Sequence, residues 1–424
     1  MNLGKDKGPG KGVKTYQRLW GLVQRHPKKI LILVLLLVAY YFCLPNQLFH
    51  TPHATVVESK SGKLLGAVIA EDGQWRFPMV DSVPYKFEAC ILNFEDAHFY
   101  QHPGFNPVSI SKAFIANILA GKTVRGGSTL TQQVIRLSRN NKRRTYWEKV
   151  RELVLATRLE LKFSKKYILK LYASHAPFGG NVVGLEAAAW RYFGMQPSQL
   201  SWAEAATLAV LPNAPSLIYP GKNATKLLNK RNRLLHKLWN NNYIDSTTYQ
   251  LSLLEELPQK PFQLPDTAPH LVQYLAKKYK GKRILTHVDQ NLQANINSIV
   301  NTHYKNLRQN QVYNAAVLLM DVKTRKVLSY VGNTPTDNEH EKDVDMVQAN
   351  RSTGSVLKPL LYTAMMNAGE LLPGMLIPDV PTQIAGYTPE NFNESYSGAV
   401  EADKALAKSL NIPAVRLLRS YGLG

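Results

Sequence analysis

FEDAHFYQHPG, residues 94–104, and GGSTLTQQ, residues 126–133, are the stretches whose joint reading decides the fold. The first packs two carboxylates, Glu95 and Asp96, and two histidines, His98 and His102, into a few residues. Either carboxylate has the chemistry to take a proton from an attacking hydroxyl. A helix cap with satisfied histidines would use the same residues. A metal reading also exists, because His98 and His102 stand four apart, but H-E-x-x-H is absent and Pro103 ends any helix at once.

The second stretch adds weight to the first. Two glycines free the backbone, and hydroxyl and amide side chains follow, a composition suited to wrapping phosphate oxygens or sugar hydroxyls. RRTYWEKVRELVLATRLE comes next and places Lys149, Arg151 and Glu152 at the start of a helix. Residues 122–166 carry thirteen Lys or Arg against three Glu. A solvated helix face ordinarily mixes both signs, so the excess points to a polyanionic ligand; a soluble basic surface is the alternative. A pyrophosphate leaving group needs such cations as its bond breaks.

Working outward, residues 84–239 read as helical. Val150, Leu153, Val154, Thr157 and Leu161 fall close to a 3.6 period, giving an apolar stripe. LSWAEAATLAVL is a helix opened by a capping box, Ser201 with Glu204. Loops interrupt at 121–128 and 179–184. Ahead of this block, residues 54–78 read as two strands around the turn at Lys60, Ser61, Gly62 and Lys63.

The N-terminus speaks to location. Residues 30–44, ILILVLLLVAYYFCL, hold no charge, and extension to Phe49 gives the ~20 residues a bilayer span needs. Residues 1–29 hold eight Lys or Arg and one Asp, which places them in the cytoplasm and the remainder outside. No A-x-A-like site follows Leu44, so an uncleaved anchor is expected rather than a signal peptide. Of the formal charge of +22, +15 then lies outside, where anionic lipid head groups and lipid-linked pyrophosphates are the available partners and nucleic acid is not. Cys43 and Cys90 suggest neither a disulfide framework nor a zinc site.

Residues 256–268, ELPQKPFQLPDTA, read as a seam. Beyond it a strand and helix, ILTHVDQNLQANINSIVNTHYKNL, precede the hairpin AAVLLMDVKTRKVLSYVG. RSTGSVLKPLLY then carries S-x-x-K as Ser355 and Lys358, one helical turn apart, so that a neutral lysine amine has the reach to take the serine proton. Ser409-Leu410-Asn411 follows some fifty residues on. The expected organisation is a cytoplasmic basic tail at 1–29, a transmembrane anchor at 30–49, a first domain at 50–245, a linker at 246–280 and a second domain at 281–424.

The order FEDAHFYQHPG, GGSTLTQQ, WEKVRELVLATRLE, ILKLYASHAPFGGNVVGLEAAAWRYFG and LSWAEAATLAVLPNAPSLIYP resembles the peptidoglycan glycosyltransferases of class A penicillin-binding proteins, and HAPFGGN, 175–181, is similar to their 1C type. The resemblance implies a mainly α, lysozyme-like glycosyltransferase domain behind a single transmembrane helix, followed by a partial α/β, β-lactamase-like transpeptidase domain. It implies polymerisation of lipid II into β-1,4-linked strands with release of undecaprenyl pyrophosphate. Glu95 matches the family's general base, and Glu152 its second glutamate, which helps hold the site and the acceptor side. Asp96, Phe99, His102 and Gly104 match the motif that shapes the site. Gly127, Ser128, Thr129, Gln132 and Gln133 match the donor-binding loop, with Arg136 after it, and Lys149 matches a lysine at the pyrophosphate. In the second domain Ser355 matches the acyl-enzyme nucleophile and Lys358 its base, while Ser409 and Asn411 orient proton and substrate. The family's neighbourhood at 105–120 lies against the bilayer.

Three departures stand out. Glu148 replaces the Arg that commonly precedes the family's Lys, which bears on pyrophosphate stabilisation; Arg151, Arg143 or Arg144 are the candidates to supply the missing cation. Arg136 stands where Lys is common, keeping the charge. Ala173-Ser174 stands where Asn commonly follows Tyr-Leu. The third transpeptidase motif, K-T-G, does not follow Asn411, so a truncated domain with doubtful penicillin binding is expected. No motif requires a cofactor or forms a metal cage, although Mg or Mn assists some relatives at the pyrophosphate. Lipid II, the growing glycan strand, the cytoplasmic (inner) membrane and other cell-wall proteins are the expected partners. Two other functions use the same residues: a lysozyme-like glycan hydrolase, and a non-catalytic cell-wall scaffold.

Overall fold

A computed structural model describes residues 26–79, 81–121, 126–141 and 145–422. The chain divides into two units, residues 1–347 and 348–424.

The larger unit is built around a helical core. The helix Trp202–Val210 is capped as its sequence requires: Glu204 N donates to Ser201 Oγ at 3.1 Å and Ser201 N donates to Glu204 Oε2 at 2.8 Å. Its alanines, Ala203, Ala205, Ala206 and Ala209, are wholly buried and let the helices Tyr85–Glu95 and Ala224–Asn240 pack closely on either side. The helices Leu130–Ser138, Tyr146–Lys162 and Lys165–His175 form a second group, and the loop after Glu95 is pressed against them.

The stripe expected to bury the Tyr146–Lys162 helix faces outward instead. Val150, Val154 and Leu161 are exposed, whereas Glu152, Ala156 and Leu159 point inward. The inward face is chosen by fit: Ala156 leaves room for the Gly104 backbone, and Glu152 has cationic partners to meet. The outward row lies on the helix that carries the exposed Tyr146 and Trp147, and it receives the N-terminal helix Pro27–Phe42. Tyr40 Oη donates to Thr157 Oγ1 at 3.0 Å, and Arg158 Nε donates to Tyr41 O at 3.1 Å.

That N-terminal helix is sixteen residues long, and among the described residues no helix is long and apolar enough to cross a membrane. The expected span 30–49 is cut short because Leu44 is buried in the helical core and Leu48 and Phe49 pack against it. Residues 1–25, which include most of the basic tail, lie outside the described residues.

Strands Thr55–Glu58 and Leu64–Val68 pair antiparallel, with Val56 opposite Ala67. Arg283–Leu285 pairs parallel to Thr55–Glu58 on the other side, Val57 opposite Ile284. A small second core forms there from Val57, Leu65, Val272, Val288 and Tyr330. The hairpin Val317–Met320 with Val327–Val331 packs beside the helix Gln290–Leu307 in this layer.

This architecture corrects the expected linker at 246–280. Asp245 caps a helix, Ser246–Leu254, by accepting from Thr248 N at 2.6 Å. Buried Arg231 donates to Glu255 O at 2.6 Å and to Leu253 O at 3.3 Å, tying the chain down after that helix. Pro269–Lys278 is also helical and covers the Leu64–Val68 strand. The proline-bearing piece, 255–268, is irregular.

The smaller unit has helices Lys358–Asn367 and Asn411–Tyr421 beside a hairpin of Leu376–Asp379 and Gly398–Glu401. Tyr362, Met365, Ile377, Ala402 and Leu417 make its core.

Candidate active site

The helix Tyr85–Glu95 stops at Glu95, and Asp96 leaves the helical conformation with φ −156°. Its carboxylate then does two structural jobs. It accepts from Leu130 N at 3.0 Å and from His102 Nε2 at 2.9 Å. Gly104 N donates to His102 Nδ1 at 3.1 Å, so the ring proton sits on Nε2, facing Asp96. Thr129 Oγ1 donates to Gly104 O at 2.7 Å and accepts from Gln132 N at 3.2 Å. Gly104 has φ +97°, and a Cβ there would come within 2.8 Å of the Ala156 carbonyl. Phe99 is buried, with Lys165 Nζ 4.5 Å from its ring centre. Asp96, Phe99, His102, Gly104 and Thr129 thus brace the wall of the site, and Asp96 is spent as a hydrogen-bond acceptor. His98 leaves the group: it is exposed and bonded to Gln101 at 3.0 Å.

Glu95 is the carboxylate that wall presents. Gln133 Nε2 donates to its Oε2 at 2.8 Å. Glu95 lines a cavity of about 700 Å³ together with Asp96, His98, Lys112, Ser128 and Lys237. Burial pushes its pKa above the usual carboxylate range, against the opposing effects of the Gln133 and Asn213 hydrogen bonds and the Lys230 charge.

Beyond the loop 126–128, which borders both spaces, lies a second cavity of about 310 Å³. Arg136, Lys149 and Glu152 line it with Ser128. Arg136 holds Glu152 in a two-point grip, Nε to Oε1 at 2.8 Å and Nη2 to Oε2 at 3.0 Å. Lys149 Nζ donates to Ser128 Oγ at 2.8 Å and to Gln132 Oε1 at 3.1 Å, and stands 3.4 Å from Glu152 Oε2. Burial works to raise the Glu152 pKa, but the bonds and charges of Arg136 and Lys149 overcome it and hold the carboxyl below its ordinary range.

Glu148 lines this cavity as well, yet it does not leave a bare negative charge. Arg139 Nη2 meets it at 2.8 Å and Arg151 Nη1 at 3.1 Å. The compensating cation is chiefly Arg139, one helical turn beyond Arg136, which sequence reading passed over because it belongs to no motif. Arg143 and Arg144 lie outside the described residues.

In the smaller unit, Lys358 Nζ donates to Ser409 O at 2.7 Å, Asn411 Oδ1 at 2.7 Å and Ser409 Oγ at 3.3 Å. Burial lowers the Lys358 pKa, favouring a neutral amine. Ser409 takes the left-handed φ of +54°, which costs a non-glycine residue about 1–3 kcal/mol. Ser355 sits on the exposed turn Gly354–Leu357, and among the described residues its hydroxyl has no hydrogen-bond partner. Three of the four expected residues are therefore brought together and the serine stands apart.

Comparison with known proteins accounts for both groups. Residues 61–239 match the Transglycosylase family, and residues 315–423 match the Penicillin binding protein transpeptidase domain. Penicillin-binding protein 1C of Escherichia coli is 35% identical over 89% of this chain and 49% of its own length. Penicillin-binding protein 1B of Haemophilus influenzae is 30% identical over 87% of this chain and 50% of its own length, and that of Vibrio cholerae 28% identical over 85% and 49%. The chain belongs to the class A penicillin-binding proteins. It spans about half the length of the curated relatives it matches.

For a class A penicillin-binding protein the donor set does not fit a resident divalent cation. Among the described residues no three His, Cys, Asp or Glu side chains converge. The two acids nearest the basic cavity, Glu148 and Glu152, already hold arginines. Asn213, which lies in the segment LSWAEAATLAVLPNAPSLIYP but was given no role there, and Lys230 and Lys237, which lie beyond the quoted motifs, belong to the surroundings of Glu95.

Proposed function

We propose that the chain polymerises lipid II into β-1,4-linked glycan strands, with Glu95 as the general base and undecaprenyl pyrophosphate as the leaving group. The observation that carries this reading is the opposite treatment of two glutamates on either side of one loop. Burial raises the pKa of Glu95 beside an open cavity, while Arg136 and Lys149 keep Glu152 ionised and occupied. Such divergence separates a proton acceptor from a fixed charge.

In this reading the acceptor sugar's 4-hydroxyl gives its proton to Glu95 as its oxygen attacks the anomeric carbon of the growing chain with inversion. Gln133 fixes the carboxylate, so the base is oriented before the acceptor arrives. Negative charge develops on the pyrophosphate as the glycosidic bond breaks. Lys149 and Ser128, joined at 2.8 Å, and Arg136 beside them stand in the basic cavity where that charge would be met. Glu152 holds these cations in place. The arrangement suits transfer better than hydrolysis, which ordinarily needs a second carboxyl group free to act.

A lipid-tethered substrate requires a membrane-proximal site. The exposed apolar residues of the Pro27–Phe42 helix, Val108, Ile115, Ile118 and Leu119 on the helix Pro107–Leu119, and Trp147 and Val150 on Tyr146–Lys162 supply surface for the bacterial cytoplasmic membrane. Ser355, Lys358, Ser409 and Asn411 are the acylation set of the transpeptidase half.

Incubation of the full chain with lipid II in detergent tests the reading. New polymer supports transfer. Cleavage of finished glycan with no polymer would establish a hydrolase instead, and inertness in both assays a scaffold.

A further inference from the structure

We propose that the helix Ala224–Asn240 carries a binding groove for the glycan strand outside the catalytic cavity, built from Asn232, Arg233, His236 and Trp239. The proposal deepens the reading of the chain as a strand polymerase and rests on it. Its occupant is the β-1,4-linked, N-acetylated product, whose side groups carry carboxylates.

The groove encloses about 450 Å³ and is lined by Asn229, Asn232, Arg233 and His236. These residues recur at three- and four-residue intervals, so they form one stripe along the helix. Donors dominate it. Arg231 Nε donates to Asn232 Oδ1 at 3.0 Å, which leaves the Asn232 amide nitrogen for a ligand. Asn240 Nδ2 donates to His236 Nδ1 at 3.2 Å, so the ring proton sits on Nε2. Arg233 is exposed, and among the described residues its guanidinium has no hydrogen-bond or ionic partner. Residues 224–240 contain no Asp or Glu, so nothing on this helix answers that charge.

An aromatic platform continues the stripe. His236 meets the Trp239 ring edge-on, 5.7 Å between centres, and the Tyr249 ring at 6.0 Å. Tyr249 lies against Trp239 at 5.0 Å and 4° from parallel, which fixes the indole, and Trp239 still keeps 36% of its surface exposed. A fixed, part-exposed ring beside amide and guanidinium donors suits a sugar chain. The C–H faces of the sugars pack on the ring, while N-acetyl, hydroxyl and carboxylate oxygens take the donors. The groove also borders the reaction. Lys237, which lines the cavity of Glu95, stands four residues after Arg233 and so beside it on the helix surface. A strand leaving the cavity past Lys237 meets Arg233, then His236 and Trp239. An anionic lipid surface would use the charge of Arg233 but not the inward-braced amide of Asn232.

The test measures binding of purified, peptide-free peptidoglycan strands to the full chain in detergent, for the parent, Arg233→Ala, Arg233→Lys and Trp239→Ala. Arg233→Ala is expected to weaken strand binding roughly tenfold, the scale of one charge-assisted hydrogen bond. Arg233→Lys recovers part of it, and Trp239→Ala weakens binding as well. In lipid II polymerisation Arg233→Ala and Trp239→Ala give shorter strands, while the rate of the first linkage matches the parent. Arg233→Ala keeps the parent Tm, because its side chain is exposed; if Trp239→Ala lowers Tm, Arg233→Ala decides alone. Unchanged strand affinity in Arg233→Ala overturns the groove. So does loss of binding to phosphatidylglycerol vesicles with strand affinity intact, which makes the stripe a lipid surface. Strand binding through Arg233 without any polymer overturns the polymerase reading and leaves a glycan site; parent-length polymer from Arg233→Ala overturns the groove and leaves the polymerase.

Discussion

Arg136 grips both carboxylate oxygens of Glu152, at 2.8 and 3.0 Å, and this pairing decides what Glu152 is able to do. A carboxylate so held, with its pKa kept below the ordinary range, is a poor base toward an acceptor hydroxyl. It serves instead as the counter-charge that keeps Arg136 and Lys149 aimed at Ser128. Breaking a buried pair on one side leaves an uncompensated charge, at a cost of 3–5 kcal/mol in general; for Arg136→Ala we expect about 3 kcal/mol, because the guanidinium is partly exposed. Denaturant unfolding should show that loss, and Arg136→Lys, which keeps the charge without the two-point geometry, should recover part of it.

Glu95 makes a stability prediction of the opposite sign. Its folded pKa is raised, so the favourable contribution is fully present below the ordinary glutamate value and is lost as pH rises through the raised one. Ionised Glu95 is therefore a cost near neutrality. Glu95→Gln should increase Tm at neutral pH by roughly 2 °C, the change that about 1 kcal/mol produces in a domain of this size. The difference should vanish in buffer acidic enough to protonate the parent. A scan of Tm against pH for both proteins checks it.

Arg139 and Glu148 test how this chain accommodates an acid beside the basic cavity. Removing Arg139 uncovers the Glu148 charge there, although Arg151 remains 3.1 Å away. Solvent screens this pair, so Arg139→Ala should raise KM for lipid II only modestly, about two- to threefold. Arg139→Ala combined with Glu148→Gln should return KM to near the parent value.

Much of the fold was legible because the sequence states it locally. The capping box at Ser201 and Glu204, the hairpin strands at 317–331 and the turn at Lys60–Lys63 follow from patterns of two to four residues. The inward face of Tyr146–Lys162 was not legible, since a hydrophobic row next to a membrane-seeking helix looks the same as one facing a core. The linker expected at 246–280 misled for a related reason. Its prolines mark an irregular backbone, but nothing local announces that Arg231 will anchor it or that Arg283–Leu285 will pair with a strand more than two hundred residues earlier. Of the site, Glu95 with Gln133 and Lys149 with Ser128 were found through motifs. Arg139 and Lys230 depend on tertiary approach and carry no signal along the chain.

The transpeptidase residues yield a sharper expectation than the motif alone. Lys358 is engaged by Ser409 and Asn411, while the Ser355 hydroxyl has no hydrogen-bond partner among the described residues. A nucleophile without its base within hydrogen-bond reach acylates poorly. The chain as it stands should show no covalent labelling by a fluorescent penicillin on a gel. A labelled band abolished by Ser355→Ala would show that the serine and lysine meet after all.

The most direct measurement is lipid II turnover by Glu95→Gln, with substrate binding measured on the same protein. A positioned base contributes about 10²–10⁴-fold, so kcat should fall by at least ~100-fold while lipid II still binds and the protein remains folded. Polymer formed at the parent rate would contradict the assignment of Glu95.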